Sequence, residues 1–209
     1  MKSFAEIAFT PAVQALQAAH GSRGAYARMA AQGGPGDGLS ARETDFLAAT
    51  DSFYLASVSE TGWPYVQHRG GPRGFLRVLS PARLAFADFG GNRQYVSAGN
   101  VSRDDRVSLF VMDYANRQRL KLLGHLRFED VADADPELVF AVELPGYRAR
   151  VERIATIEVE AFDWNCPQHI TPRYTLEQVE AASQPLHERI AALEAEVRAL
   201  RRAAATGLS

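Results

Sequence analysis

Short apolar runs, separated by turn residues, fill the middle of the chain and limit the folds that it can adopt. They occupy residues 53–58, 63–68, 75–79, 84–87, 106–112 and 119–128. Glu60, Thr61 and Gly62 lie between the first two runs, which predicts an antiparallel hairpin. A later run, residues 153–162, alternates apolar and polar side chains and predicts a half-exposed strand. Strands this short and closely spaced favour an all-β barrel or sandwich core.

Basic and amide side chains stand beside glycines at two of the predicted strand ends. One group ends the second run before Gly70 and Gly71, and the other follows Gly90 and Gly91. Glycine lets the backbone bend and approach a ligand, and arginine with amide side chains suits a phosphate and the polar ring atoms of a cofactor. A pair of hairpin turns with solvated arginines is the alternative. The candidate ligand-binding residues are Gln67, His68, Arg69, Asn92, Arg93 and Gln94.

The order of these pieces resembles the FMN-binding split-barrel family typified by pyridoxamine 5'-phosphate oxidase. The matching segments are TDSFYLASVSETGWPYVQHRG, the NRQ that follows LAFAD, DDRVSLFVMD and RLKLLGHLRF. In that family an arginine closing the second strand and a Ser-Arg-Lys-like triplet hold the FMN phosphate. Arg69 matches the first position, and Asn92, Arg93 and Gln94 stand where the triplet would be. Gln94 replaces a lysine, which removes one positive charge.

The resemblance also extends to residues nearer the C-terminus. In the resembled oxidases a late tryptophan and arginine reach the flavin of the partner subunit, and Trp164 and Arg173 look like rough counterparts. Both lie in WNCPQHITPRY, which we predict to be irregular because of its two prolines. Packing at the edge of the core is the alternative for Trp164. By the two-residue period of a strand, Lys121 would face either the same ligand or solvent.

Helical patterns flank the predicted strands. Thr10 and Pro11 predict the start of a helix through Ala19, and a capping box of Ser40 and Glu43 predicts a second one. Between them, residues 33–38 (GGPGDG) predict an exposed loop. We therefore expect an N-terminal helical segment (1–50), a split β-barrel domain (51–175) and a C-terminal amphipathic helix (183–203).

The C-terminal segment has the clearest helical periodicity. Its apolar residues recur at spacings of four, three, four and three, which is an a/d seam of two heptads. Ser183 and Pro185 predict the start of this helix. The seam would pack either on its own domain or against its copy in a dimer. The seam residues are Leu186, Ile190, Leu193, Val197 and Leu200.

Composition excludes several classes of protein. The net charge of −2 provides no general attraction to nucleic acid or to an anionic membrane. Cys166 is the only cysteine, so neither an intrachain disulfide nor a cysteine-built metal site can form, and a reducing compartment is indicated. The sequence has neither a signal-peptide pattern nor an apolar stretch of membrane-spanning length. We expect a soluble cytoplasmic protein.

The resemblance implies a mainly β fold with flanking helices, and a homodimer with two FMN sites at the subunit interface. The activity implied is that of an FMN-dependent oxidoreductase acting on a small molecule. No side chain must act as acid or base, although His68 and His169 are candidates for handling protons. In the family, the site that binds the substrate phosphate uses a lysine near the position where this chain has Gly74 and Phe75. This difference argues against pyridoxamine phosphate as the substrate. A haem-binding split barrel, a deazaflavin-dependent reductase and a flavin-binding protein without turnover remain alternatives.

Overall fold

The computed structural model describes residues 1–31, 33, 38–164 and 167–206. The predicted loop at residues 33–38 lies mostly outside these ranges, as do Asn165 and Cys166. The helices are α1 (Phe4–Ala8), α2 (Pro11–Ala19), α3 (Arg23–Ala31), α4 (Ala41–Ala48), α5 (Val96–Val101), α6 (Pro136–Val142) and α7 (Leu176–Thr206). The strands are β1 (Ser52–Val58), β2 (Pro64–Gly70), β3 (Arg77–Ser80), β4 (Arg83–Phe89), β5 (Arg106–Asp113), β6 (Gln118–Asp130) and β7 (Val151–Trp164). The fold is mainly β with flanking helices, as predicted.

All seven strands form one antiparallel sheet in the order β2-β1-β5-β6-β7-β4-β3. The predicted hairpin is confirmed, because Phe53 pairs with Arg69 and Val58 with Pro64. The sheet is strongly curled. In a flat sheet β1 and β4 would lie roughly 19 Å apart, at about 4.8 Å for each step between strands. The rings of Phe53 on β1 and Phe86 on β4 are only 5.4 Å apart, so the two sides of the sheet face each other across a split barrel.

Two apolar clusters hold the sheet in this shape. The larger lies inside the curl and combines residues from β1, β4, β5, β6 and β7 with Phe75 and Leu76, which immediately precede β3. The predicted strand at 75–79 therefore begins later, at Arg77. The smaller cluster lies on the outer side of β4, where Ala85 and Ala87 pack with Val142 of α6. Because α6 covers this side, β4 is buried on both faces.

The N-terminal segment contains more helix than the sequence predicted. Both predicted helices are present: the Thr10 hydroxyl caps α2, and Ser40 and Glu43 form the capping box of α4. Two further helices, α1 and α3, were not predicted. They are short and have few buried residues, so their sequences carry little periodic signal.

The contacts divide the chain into two compact units. The first contains residues 1–113 and 117–169, and the second contains residues 114–116 and the chain from Ile170 onward. In the second unit, α7 begins at Leu176 and not at Ser183 as predicted, so Pro185 lies inside the helix. Thr175 and Gln178 form a reciprocal cap, since each backbone N–H donates to the other's side chain. Among the described residues, no helix is both long and apolar enough to cross a membrane.

Candidate functional site

A cavity of about 210 Å³ lies in the first unit where β2, β4, α5 and β7 meet. β2 and β4 are five positions apart in the sheet, so only the curl brings them together. Four of the predicted ligand-binding residues, Gln67, Arg69, Asn92 and Arg93, lie in its wall. The lining residues are Gln67, Arg69, Asp88, Phe89, Gly91, Asn92, Arg93, Tyr95, Ser97, Ala98, Glu152 and Arg153.

A buried carboxylate binds two arginines at the base of this cavity. Asp88 is 3% exposed, whereas Arg69 and Arg153 are 14% and 17% exposed. Arg69 Nη1 donates to Asp88 Oδ1, and Arg153 Nε donates to Asp88 Oδ2 at 3.1 Å. Arg69 Nε is buried and has no hydrogen-bond partner within the described part of the chain. Two guanidinium groups thus share one carboxylate, and the cluster keeps one net positive charge.

Aromatic rings support the same two arginines. The Arg153 guanidinium lies 4.6 Å from the centre of the Phe128 ring and 5.1 Å from that of Tyr95. Arg69 lies 5.8 Å from the centre of the Phe128 ring. Cation–π contacts of this kind stabilise a guanidinium group in a partly desolvated place. The rings and Asp88 together hold both guanidinium groups in defined positions.

The loop before α5 presents Arg93 to solvent at the cavity mouth. Arg93 and Tyr95 both adopt the left-handed backbone conformation, with φ of 59° and 54°, and the Asn92 side chain accepts a hydrogen bond from Gln94 N at 3.2 Å. Arg93 Nε donates to the Tyr95 hydroxyl at 3.3 Å. That hydrogen bond raises the pKa of Arg93. Like any arginine, Arg93 is cationic at physiological pH. Arg69 thus donates to a carboxylate, whereas Arg93 donates to a hydroxyl group.

Polar contacts attach α5 to the sheet beside the cavity. The Ser97 hydroxyl donates to Gln67 Oε1 at 2.6 Å, and the Asn100 amide donates to the buried Ser57 hydroxyl at 3.0 Å. Buried polar groups are costly unless paired, so these contacts fix where α5 lies on β1 and β2.

The charge of the cavity suits an anion. Three arginines (69, 93 and 153) face two carboxylates (Asp88 and Glu152), which leaves one formal positive charge. Planar guanidinium donors and neutral amides match the oxygen atoms of a phosphate. No group of three or more His, Cys, Asp or Glu side chains is placed to hold a metal ion in the described ranges.

Three further predicted residues of the first unit, His68, Lys121 and Gln94, lie outside the cavity wall. His68 lies on the other face of β2 from Gln67 and Arg69, beside the ring of Tyr54. Lys121 forms an ion pair with Asp163 at 2.9 Å and lies over the ring of Phe4. Gln94 lies in the loop next to Arg93 but does not line the cavity.

Trp164 and His169 do not line the cavity either, and Arg173 belongs to the second unit. Trp164 is not in an irregular stretch as predicted but ends β7, where its Nε1 donates to Glu43 Oε1 at 2.6 Å. Arg173 lies over the ring of Tyr114 in the second unit. His169 occupies a turn with φ of 61°. Within the first unit, the cavity thus brings together most of the residues predicted to bind a phosphate. It does not include Trp164, predicted to cover the flavin, or the two histidines predicted to handle protons.

The sequence interpretation missed Asp88, Glu152 and Arg153. Asp88 did carry a signal, because a single acidic residue within the apolar run LAFADF must be paired if the strand is buried. Arg153 had no comparable signal, since an arginine at the start of an alternating strand is usually solvated. Its pairing with Asp88 depends on the register of β4 against β7.

Several solved structures are similar to part of this chain. Similar solved structures include a putative pyridoxamine 5'-phosphate oxidase from Lactobacillus delbrueckii, with 18% identity, 62% of this chain and 96% of that chain covered, and a TM-score of 0.47. HupZ from Group A Streptococcus is 12% identical, and the match covers 65% of this chain and 99% of HupZ with a TM-score of 0.49. An FMN-binding protein from Syntrophomonas wolfei is 12% identical, and the match covers 58% of this chain and 81% of that protein with a TM-score of 0.45. None of the curated proteins compared with the chain matches it.

The family comparison covers the part of the chain that builds the sheet and the cavity. The sequence profile of the pyridoxamine 5'-phosphate oxidase family matches residues 39–160, which is more than half of the chain. The matched span runs from just before α4 to β7 and includes every residue that lines the cavity. The chain therefore belongs to the pyridoxamine 5'-phosphate oxidase family.

Proposed function

We propose that the protein is an FMN-binding oxidoreductase whose cavity holds the phosphate end of the cofactor. The observation that carries the proposal is the set of three arginines facing two carboxylates in one cavity of a family member. Arg93 and Asn92 would bind the phosphate, because Arg93 is cationic and exposed. Arg153 and Arg69 would add charge from the base of the cavity, and Gln67 would offer its amide. When bound, FMN would supply hydride and electron transfer to and from a small-molecule substrate.

The size of the cavity supports a site completed by a second subunit. A volume of about 210 Å³ falls below the range of roughly 300–1,000 Å³ that is usual for small-molecule sites. One chain would therefore enclose the phosphate end but not the whole cofactor. On the outer face of the β1–β2 hairpin, Tyr54, Val58 and Val66 are exposed, and Val66 pairs directly with Ala56. We propose that this apolar face contacts a second copy in a homodimer.

The cofactor released from the purified protein tests the proposal directly. Mass spectrometry should identify FMN at close to one per chain, because the cavity offers one cluster of phosphate donors. Recovery of FAD, a deazaflavin or haem at that level would contradict the assignment.

Arg93→Ala tests the position of the phosphate. This variant should weaken FMN binding by about tenfold or more, as expected when a charged hydrogen bond is lost, and should leave riboflavin binding almost unchanged. Arg83→Ala is the matched control, since Arg83 is also exposed and begins β4 but pairs with Glu158 outside the cavity. An equal loss of FMN and riboflavin affinity in Arg93→Ala would show that this arginine does not bind the phosphate.

A further inference from the structure

The longest helix of the protein carries an exposed apolar stripe. α7 contains 31 residues and is about 46 Å long at 1.5 Å per residue. The large apolar side chains along it are between 41% and 82% exposed. They are Leu176, Val179, Leu186, Ile190, Leu193, Val197 and Leu200. Exposed apolar side chains at heptad spacing are typical of a surface that another helix covers.

The residue types along the stripe specify the kind of helix that would cover it. The spacing places Ile190 and Val197 at a positions and Leu186, Leu193 and Leu200 at d positions. In coiled coils, β-branched residues at a together with leucine at d favour two parallel strands over trimers and tetramers. The same register continues towards the start of α7, with Leu176 at a and Val179 at d. The helix of 31 residues is therefore longer than the predicted segment 183–203 and extends the seam towards its N-terminus.

The charged residues beside the stripe fit a second copy in the same direction. In a parallel pair, each g position faces the e position five residues later in the other helix. Arg189 at g then faces Glu194 at e, and Glu196 at g faces Arg201 at e. Both contacts join opposite charges, and the two-fold symmetry of a homodimer makes each of them twice. A shifted register would separate these pairs.

The proline inside α7 does not obstruct the stripe. Pro185 occupies a c position, which lies away from a and d. The Gln184 side chain donates to Glu188 at 3.0 Å and so joins the turns on either side of it. Ser183 is the one polar residue among the a positions from Leu176 to Leu200.

We infer that α7 binds the α7 of a second copy of this chain as a parallel, in-register two-stranded coiled coil. This inference does not depend on the cofactor. It requires only that two chains meet through this helix.

Cysteine cross-linking in the full-length protein tests both the pairing and its direction. In a Cys166→Ser background, Leu186→Cys and Leu200→Cys lie at opposite ends of the d positions. In a parallel pair each new cysteine meets its own copy, so each variant should form a covalent dimer on mild oxidation. Ala195→Cys at the outward f position is the control. It should cross-link at least about tenfold more slowly, because its sulfur atoms cannot reach disulfide geometry.

The other outcomes of this experiment overturn the inference. If neither variant cross-links alone but a mixture of the two does, the helices are antiparallel. If no combination exceeds the Ala195→Cys control, the helices do not pair.

A charge exchange tests the register with a variant that keeps the helix folded. Glu196→Arg places like charges opposite Arg201 in both directions and should slow cross-linking of Leu200→Cys by about threefold to tenfold. Adding Arg201→Glu restores opposite charges and should restore the rate. A double variant as slow as Glu196→Arg alone would show that these positions do not face each other, and would overturn the in-register arrangement.

Discussion

Asp88→Asn should destabilise the protein by about 3–5 kcal/mol, because it removes the buried charge that two partly buried arginines share. The Asp88 carboxylate is 3% exposed, and three hydrogen bonds from Arg69 and Arg153 reach it. Asparagine has nearly the same shape, but it has one acceptor oxygen, and its amide N–H groups would face guanidinium N–H groups. The variant therefore leaves two cations in a poorly solvated place without a counter-charge.

We expect the loss of unfolding free energy to lie in the lower half of this range, at about 3 kcal/mol. Arg69 and Arg153 keep exposures of 14% and 17%, so water can partly solvate them once the carboxylate charge is gone. The rings of Phe128 and Tyr95 also remain beside Arg153. A loss of about 3 kcal/mol corresponds to a decrease in Tm of roughly 6–12 °C for a chain of this size.

The assay is urea unfolding of the cofactor-free protein, with circular dichroism as the signal that monitors unfolding. Glu158→Gln is the matched control, because Arg83 and Glu158 are also directly opposed on β4 and β7, but both are exposed. An exposed pair of this kind contributes about 0–1 kcal/mol. If the two variants lost equal and small amounts of unfolding free energy, the Asp88 cluster would not stabilise the closure of the sheet.

Three further changes test other parts of the structure. Glu43→Gln should cost about 1–3 kcal/mol at pH 7, since its buried carboxylate accepts hydrogen bonds from Trp164 and from the α4 cap. Burial alone would raise the pKa of Glu43, but these hydrogen bonds lower it below 4.5 overall, so its contribution is complete above pH 4.5 and is lost as the pH falls through the folded-state pKa. Urea titrations at pH 7 and pH 3 should therefore differ less in the variant than in the native protein. Gly124→Ala should cost about 1–3 kcal/mol, because a Cβ there would lie 2.4 Å from the Glu158 carbonyl oxygen, whereas Gly91→Ala meets nothing within 4 Å and should leave Tm unchanged. Ending the chain after Thr175 removes α7 and should leave a dimer that still binds FMN, with a lower Tm; a colourless monomer in sedimentation would place the dimer contact in α7 alone.

The strands and helix caps could be predicted because their signals are local. The turn at Glu60–Gly62 lies between two apolar runs, and the β1–β2 register confirms the hairpin that it implies. The capping box of Ser40 and Glu43 needs only residues three positions apart. Local signals failed where two helix starts competed. Ser183 and Pro185 resemble a helix start, but Thr175 and Gln178 cap the helix about two turns earlier.

For the candidate site, the sequence by itself determined the residue types at each strand end, including Arg69, Asn92 and Arg93. It could not determine which of them meet. Arg69 and Asp88 are separated by four intervening strands in the sheet, and they form an ion pair only because the sheet curls until β2 approaches β4. Arg153 joins them through the β4–β7 register. Strand order, register and curl depend on contacts between distant parts of the chain, which no local pattern records, so the charge of the cavity was decided by the tertiary structure alone.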